Sequence, residues 1–443
     1  MKQIYIIGGG TSFHVRPHFA ISALAYGQVV KDLFNAITVV GFPDLVHLYT
    51  TKMAGNRHQI WTSRSGIDDD APPNLETNDD IAALLAKLVE DERPKIIFLP
   101  AALCDFDAEY IRSEDPQGGV VPYVGKEFAR LSSKHAIELK LQPAAKVIAD
   151  VRKHRKDIFL VGFKATKDLE KQDQFNAGLK LVKQASCNLV LANDIGTRLN
   201  MVITPEQAPH HVTTERRVAL RGLVQMALER SKGHFTRSEV VEGPTVPWDS
   251  LAVPQALRTV VDHCIKRGAY KPFLGSTVGH FAFKHSEDKF VTSRRKTNFN
   301  DLLEVGMVVV EAQGDDKVIA RGFKPSVGGQ SQRIIFAEHP DVDCIVHFHC
   351  PLKPEHENIY VNGPIPVRAQ APYECGSHEC GKNTSDGLKV FELYNGNIKY
   401  PVKAVMLDKH GPNIVFSKHA DPHAVIDFIE KHWDLTRATS EVP

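Results

Sequence analysis

Apolar residues in the first half of the chain gather into short continuous runs separated by amphipathic stretches, the pattern of a parallel sheet buried on both faces by helices. Gln3 to Ile7 reads as a strand running directly into Gly8-Gly9-Gly10-Thr11, and a helix-like pattern follows from Phe19 to Val30. Ala36 to Gly41 reads as the next strand, Asp79 to Glu90 as an amphipathic helix, and Lys95 to Pro100 as a third, wholly apolar strand. Ile158 to Thr166 and Asn188 to Leu191 add two more around a helix rich in Lys and Leu. Alternating strands and helices of this kind predict an α/β fold with a Rossmann-like open parallel sheet. A helix then spans Val218 to Arg230, and Glu242-Gly243-Pro244-Thr245-Val246-Pro247-Trp248 breaks both periodicities, which sets expected domains at 1–240 and 250–443.

The second half opens with a helix from Ser250 to Arg267 and turns strand-rich after Gly275, with strands at Phe281 to Lys284, Phe290 to Thr292, Val308 to Val310 and Val318 to Ala320. Gln332 to Glu338 reads as a helix. The stretch Asp343 to His349 then alternates, so that His347 and His349, two residues apart, project from one face of a strand. Two imidazoles on one face chelate a divalent ion, which usually takes three or four protein donors. The third candidate is His410, which closes the apolar run beginning at Ala404. An isolated His-x-His pair equally suits two strand residues facing water, so the context has to decide.

Composition narrows the function classes. At 443 residues the chain is too long for one ordinary core, and 54 Lys plus Arg against 53 Asp plus Glu offer no electrostatic case for nucleic acid or an anionic membrane. The basic run Arg152-Lys153-His154-Arg155-Lys156 fits the solvated end of a helix. The start is apolar for too few residues to be a signal or a membrane span, and seven scattered cysteines suit a reducing cytoplasm. Cys375 and Cys380 flank His378 in a glycine-rich loop, a weak version of a soft-metal pattern.

Several stations of the first half fall at strand ends, where open sheets bind ligands. They are Gly8-Gly9-Gly10-Thr11, Ala101-Ala102-Leu103-Cys104-Asp105-Phe106, Arg130 to Lys134, Leu139 to Pro143, Gly162-Phe163-Lys164-Ala165-Thr166 and Ala192-Asn193-Asp194. In order and spacing this succession resembles phosphopantothenoylcysteine synthetase, over about residues 1 to 230. The resemblance implies nucleotide-dependent activation of a carboxylate, with CTP or ATP and Mg as cofactor. It implies that Gly9, Gly10 and Thr11 lie at the phosphates, and that Phe163, Lys164, Ala192, Asn193 and Asp194 surround the base and ribose. Ser22 to Gly27 departs from the family's pantothenate-holding run, and Ile195 to Met201 lacks its lysine-bearing loop, with Arg198 as the nearby charge. A different acid substrate is therefore expected. The glycine turn alone also admits an NAD(P)-dependent oxidoreductase, although G-x-G-x-x-G spacing is missing.

The second half carries Gly275 to Lys284, Phe290 to Ser293, Asn300-Asp301-Leu302, Lys324-Pro325-Ser326, His339 to His349 and Lys409-His410-Gly411. This succession is similar to the class II aldolase/adducin family over about 250 to 435, which implies an α/β/α domain. It implies that His347, His349 and His410 bind a divalent metal, zinc before others, and that Thr277, Gly279, Ser293 and Ser326 grip a phosphate-bearing substrate. Where the aldolases carry a proton-shuttling Glu, this chain has Gly328, within Val327-Gly328-Gly329-Gln330. Replacement candidates for the acid/base are Glu374, His378 and Glu379. The joint expectation is a bifunctional, cytoplasmic homodimer or homotetramer, ligase-like and lyase-like, acting on small molecules. The alternative is that one or both halves bind without catalysis, as in adducin.

Overall fold

The computed structural model describes residues 2–40, 45–62, 66–70, 74–113, 119–121, 123–314, 317–326, 329–357, 364–395 and 398–442. The chain divides into two units, Met1–Thr204 with His211–Ala227, and Pro205–His210 with Leu228–Pro443.

In the first unit the apolar runs become five parallel strands: β1 (Gln3–Gly10), β2 (Leu45–Thr50), β3 (Lys95–Leu99), β4 (Phe159–Thr166) and β5 (Leu189–Asp194). Their order is β5-β4-β3-β1-β2, and antiparallel strands extend both edges. Ile4, Ile6, Ile97, Phe98, Leu160 and Val190 are all fully buried, as strands covered on both faces require. The helices are α1 (Gln28–Val40), α2 (Asn78–Glu90) and α3 (Lys171–Ala185). Thr77 starts α2 by a reciprocal cap, its hydroxyl accepting the Asp80 N–H while the Asp80 carboxylate accepts the Thr77 N–H. Because β2 and β3 lie on opposite sides of β1, the strand order reverses between β1 and β3. The carboxyl ends of those two strands frame the crevice where such sheets take ligands.

Two elements correct the sequence reading. The helix expected from Phe19 to Val30 is instead a hairpin, Ser12–Arg16 paired with Phe19–Ser22, and α1 begins only at Gln28. The strand expected from Ala36 forms the second half of α1, and Gly41 lies outside the described residues. The buried residues of α1 are Val30, Leu33, Ala36 and Ile37, at helical spacing, and burying that stripe overrides the strand preference of Thr38-Val39-Val40. The glycines at the end of β1 make room for this return. A Cβ on Gly8 would sit 2.4 Å from Val30 Cγ2, and one on Gly10 would sit 1.9 Å from the Ala23 carbonyl oxygen.

The second unit is built on a mixed sheet. Its central strands are β6 (His280–Lys284), β7 (Lys289–Ser293), β8 (Met307–Gln313), β9 (Lys317–Arg321), β10 (Cys344–His347), β11 (Ile398–Leu407) and β12 (Gly411–Phe416). They run β9-β8-β7-β6-β10-β12-β11 with antiparallel neighbours, and Arg237–Val241 and Val367–Arg368 add parallel edges. Alternation sends Phe281, Val346, Ile414 and Phe416 to one face against α4 (Gln255–Lys266) and α7 (Pro422–His432). It sends Ala282, Ile345 and Val415 to the other, against Ile335 and Phe336 of α5 (Gly329–Glu338). The helix α6 (His378–Gly387) packs on α5, where a Cβ on Gly381 would lie 2.7 Å from Ile334 Cδ1. The α/β/α expectation for this half thus holds, as does the parallel sheet at the heart of the first. β10 is shorter than its alternation suggested and ends at His347, so His349 lies past the strand.

Gly10→Ala should destabilise the protein by about 1 to 3 kcal/mol, since the methyl group meets backbone that cannot move aside cheaply. A lowered midpoint in urea denaturation followed by circular dichroism checks it.

Candidate metal centre and ligand-facing strand ends

His347 closes β10, and its cross-strand neighbours are His280 on β6 and Asn413 on β12. Opposed residues of antiparallel strands share a face, so the three form one polar row at the end of the sheet. His347 Nδ1 donates to the Pro412 carbonyl oxygen at 2.6 Å, which fixes the ring and leaves Nε2 as the nitrogen with the lone pair. That Nε2 lies 3.3 Å from Nε2 of His410, which sits in the turn joining β11 to β12. The nitrogens that His347, His349 and His410 can offer all lie within 4.8 Å of one another, and all three residues are buried. Two glycines hold the backbone that carries them. Gly411 has φ 139° and its missing Cβ would fall 2.0 Å from the Phe348 carbonyl oxygen, while one on Gly279, at φ 101°, would fall 2.5 Å from that of His347.

Burial pushes the His347 imidazole down to about 4, although the bond to Pro412 opposes the shift. Burial, then the neighbouring histidines, push His410 well below the ordinary imidazole range. Both rings are therefore neutral at pH 7, the form that ligates. His410 Nδ1 is buried with no hydrogen-bond partner among the described residues. Three converging buried imidazoles fit a divalent ion such as zinc, and a tetrahedral ion would keep one position for a ligand. Among the described residues this is the one group of three or more His, Cys, Asp or Glu gathered closely enough to hold an ion, so Cys375, His378 and Cys380 make no second centre.

The other expected groups are scattered. Glu374 is buried, whereas His378 is exposed and hydrogen-bonds through Nδ1 with the Gln330 amide at 3.1 Å. Glu379 accepts the His234 N–H at 3.0 Å and pairs with His234 Nδ1 at 2.6 Å. Burial alone would raise the Glu379 carboxyl, but these bonds hold it below its usual range. The Thr277 hydroxyl donates to the Thr297 carbonyl oxygen and accepts the Phe299 N–H, both at 3.2 Å, which ties it into its own loop. Ser293 and Ser326 are brought together by a 3.0 Å backbone bond, and the Ser293 hydroxyl is buried with no partner among the described residues. Val327 and Gly328, at the acid/base position, lie outside the described residues.

In the first unit the expected nucleotide residues cap elements as well as face the crevice. The Thr11 hydroxyl donates to Asn78 Oδ1 at 2.7 Å and accepts the Cys104 N–H at 2.8 Å. Gly9 is a left-handed residue beside Thr51, and the Gly10 N–H donates to the Ala25 carbonyl. Asp194 accepts the N–H groups of Asp168, Leu169, Gly196 and Thr197 and the hydroxyls of Thr166 and Thr197, bonds that outweigh its burial and hold its carboxyl far below the usual range. Phe163 and Asn193 are half-buried, Ala192 is buried and Lys164 is exposed. One group escaped the sequence reading. Glu76, placed by the cap of α2, receives Lys52 at 3.1 Å, Lys126, and His14 at 3.2 Å. Only its position just ahead of Thr77 hinted that it is held in place.

Residues 263–421 match the class II aldolase and adducin N-terminal domain. Two curated relatives are similar to other parts of the chain. The coenzyme A biosynthesis bifunctional protein CoaBC of Methanocaldococcus jannaschii is 26% identical over 198 residues, 44% of this chain and 41% of that protein. Its namesake from Thermococcus kodakarensis is 25% identical over 132 residues, 29% of each. The chain thus spans less than half the length of the curated relatives it matches. A solved structure, the DNA/pantothenate metabolism flavoprotein from Streptococcus pneumoniae, is 20% identical with a TM-score of 0.38 and covers 50% of this chain and 96% of that one. The two-part resemblance read from the sequence is matched, a CoaB-type ligase-like part in the N-terminal half and a class II aldolase-like part towards the C-terminus. No described helix is long and apolar enough to cross a membrane.

Burial alone would raise the Glu76 carboxyl, and the Lys126 and Lys52 ammonium groups bring it down to about 2. A depressed carboxyl contributes stability above its unfolded value of 4.5, and that contribution fades as pH falls towards 2. Glu76→Gln should therefore be less stable than the parent at pH 6 and nearly equal to it at about pH 2 to 3, read from urea midpoints at each pH.

Proposed function

We propose that the chain is a bifunctional enzyme, with a nucleotide-dependent carboxylate-activating domain at 1–240 and a metal-dependent aldolase-type lyase domain at 250–443. The observation that carries the second activity is the convergence of buried His347, His349 and His410. A divalent ion bound there, zinc by the donor set, would polarise a carbonyl oxygen and stabilise an enediolate. The chain's part is to present three lone pairs, to hold His347 through Pro412, and to keep water from the buried rings. The substrate is a small hydroxy-carbonyl compound, and Ser293 with Ser326 offers hydroxyls for a phosphate on it. Glu374, which is buried, remains the acid/base candidate. Glu379 is held by His234 below the range of a working base, and His378 faces solvent.

For the first activity, the crevice between β1 and β3 takes CTP or ATP with Mg, with Gly9, Gly10 and Thr11 shaping its floor and Phe163, Lys164, Ala192, Asn193 and Asp194 along the neighbouring strand ends. Exposed Lys164 is free to meet phosphate charge, whereas Asp194 acts by fixing the two loops it caps. The names of the relatives, bifunctional proteins of coenzyme A biosynthesis, support a biosynthetic role, the resemblance of the strand-end stations supports ligation of a carboxylic acid, and the departures at Ser22 to Gly27 favour a different acid. A cytoplasmic homodimer or homotetramer completes the reading, closed symmetric assembly being the common arrangement for such enzymes. A second reading, a metal-stabilised binding module in place of the lyase, draws on the ion-paired state of Glu379.

Metal content by inductively coupled plasma mass spectrometry tests the centre. About one divalent ion per chain is expected in the purified protein and none in the His347→Ala, His349→Ala double variant. No metal in either after metal-supplemented expression removes the lyase reading and leaves the nucleotide domain to carry activity.

A further inference from the structure

His347 stands in the middle of a polar row whose two outer members are more deeply buried than sheet packing asks of polar side chains. His280 is 5% exposed, with its ring centroid 4.7 Å from that of His347. Its Nδ1 is taken by the Gln332 amide at 2.8 Å, so Nε2 is the nitrogen left for a ligand. Asn413 is 2% exposed, and its Oδ1 has no partner among the described residues. Buried polar groups are nearly always hydrogen-bonded, and one left open beside a cluster of ligating imidazoles has the character of a binding group.

We propose that His280 and Asn413, one on each side of His347, grip the oxygen atoms flanking a carbonyl held at the three-histidine centre and so select a compound with a hydroxyl on the adjacent carbon. The inference rests on the metal reading above. Neighbours in such a row stand about 5 Å apart, a reach that suits an oxygen one carbon removed from the central one. The flanking groups are an amide and an imidazole backed by the Gln332 amide, with no Lys or Arg among them. That chemistry pairs with hydroxyl oxygens, and a phosphate would have to be met elsewhere. His280 and Asn413 are thus specificity residues, and Gln332, fully buried, positions the His280 ring.

The test uses the full chain loaded with cobalt(II), whose visible spectrum reports the centre without turnover. Two hydroxamates are titrated: acetohydroxamate, which offers only the chelating oxygens, and glycolohydroxamate, which adds a hydroxyl on the next carbon. The parent should bind glycolohydroxamate about tenfold or more tightly than acetohydroxamate, the scale of a hydrogen bond to a buried polar group. Of His280→Ala and Asn413→Ala, the variant on the side of the added hydroxyl should lose most of that preference while keeping the cobalt spectrum and the acetohydroxamate affinity, and the other should weaken both hydroxamates alike. His280→Gln and Asn413→Ser serve if an alanine variant loses its near-ultraviolet dichroism. No preference in the parent, or a preference unchanged in both variants, overturns the assignment of these residues. A parent that develops no cobalt spectrum overturns the three-histidine centre itself, a failure visible before any hydroxamate is added.

Discussion

The hydrogen bond from His347 Nδ1 to the Pro412 carbonyl is the constraint on which the three-histidine cluster of the second unit depends. It joins the end of β10 to the start of β12 and fixes which nitrogen of the central imidazole faces the other two histidines. It forms only because the backbones come unusually close. Gly411 and Gly279 both adopt left-handed conformations, and side chains there would strike the carbonyl oxygens of Phe348 and His347. Close packing at a cluster of converging imidazoles is to be expected, since rings from a strand end, the segment after it and a separate turn must be brought within a few ångströms and kept there.

The first unit uses glycine in a different way. The three glycines at the end of β1 suggest a phosphate cradle, yet the Gly10 and Thr11 N–H groups donate to the Ala25 and Ala102 carbonyls, and the volume left by the missing side chains is filled by Val30, Thr51 and Ala23. The turn is therefore first a packing device that brings the start of α1 back to the strand it left. Asp194 behaves alike, since its carboxylate organises both loops at the ends of β4 and β5. The groups of this unit that remain accessible include Lys164 and the lysines gathered around Glu76.

The two carboxylates singled out in the sequence, Glu374 and Glu379, differ by environment. Glu379 shares a surface pair with His234, which stabilises its ionised form and weakens it as a base. Glu374 lies buried in the preceding turn, where Cys375 N–H donates to Glu206 and Glu206 in turn pairs with fully buried Arg230. A loop anchored in this way holds its side chains in one arrangement, which a group acting on a bound ligand needs.

By itself the sequence determined the two-part architecture, the parallel core of the first half and the layered sheet of the second, because apolar periodicity is a local pattern. It misjudged Phe19 to Gly27 and Ala36 to Val40, and in the latter β-branched residues at helical spacing fit either element until the sheet decides which face is buried. It also treated His347 and His349 as partners on one strand, whereas β10 stops at His347 and the approach of β12 brings the nitrogens together. The row of His280, His347 and Asn413, and the gathering of Lys52, Lys126 and His14 on Glu76, join residues from separate segments. Only the tertiary structure decided those, because register between strands is set by packing and leaves no mark at any single position.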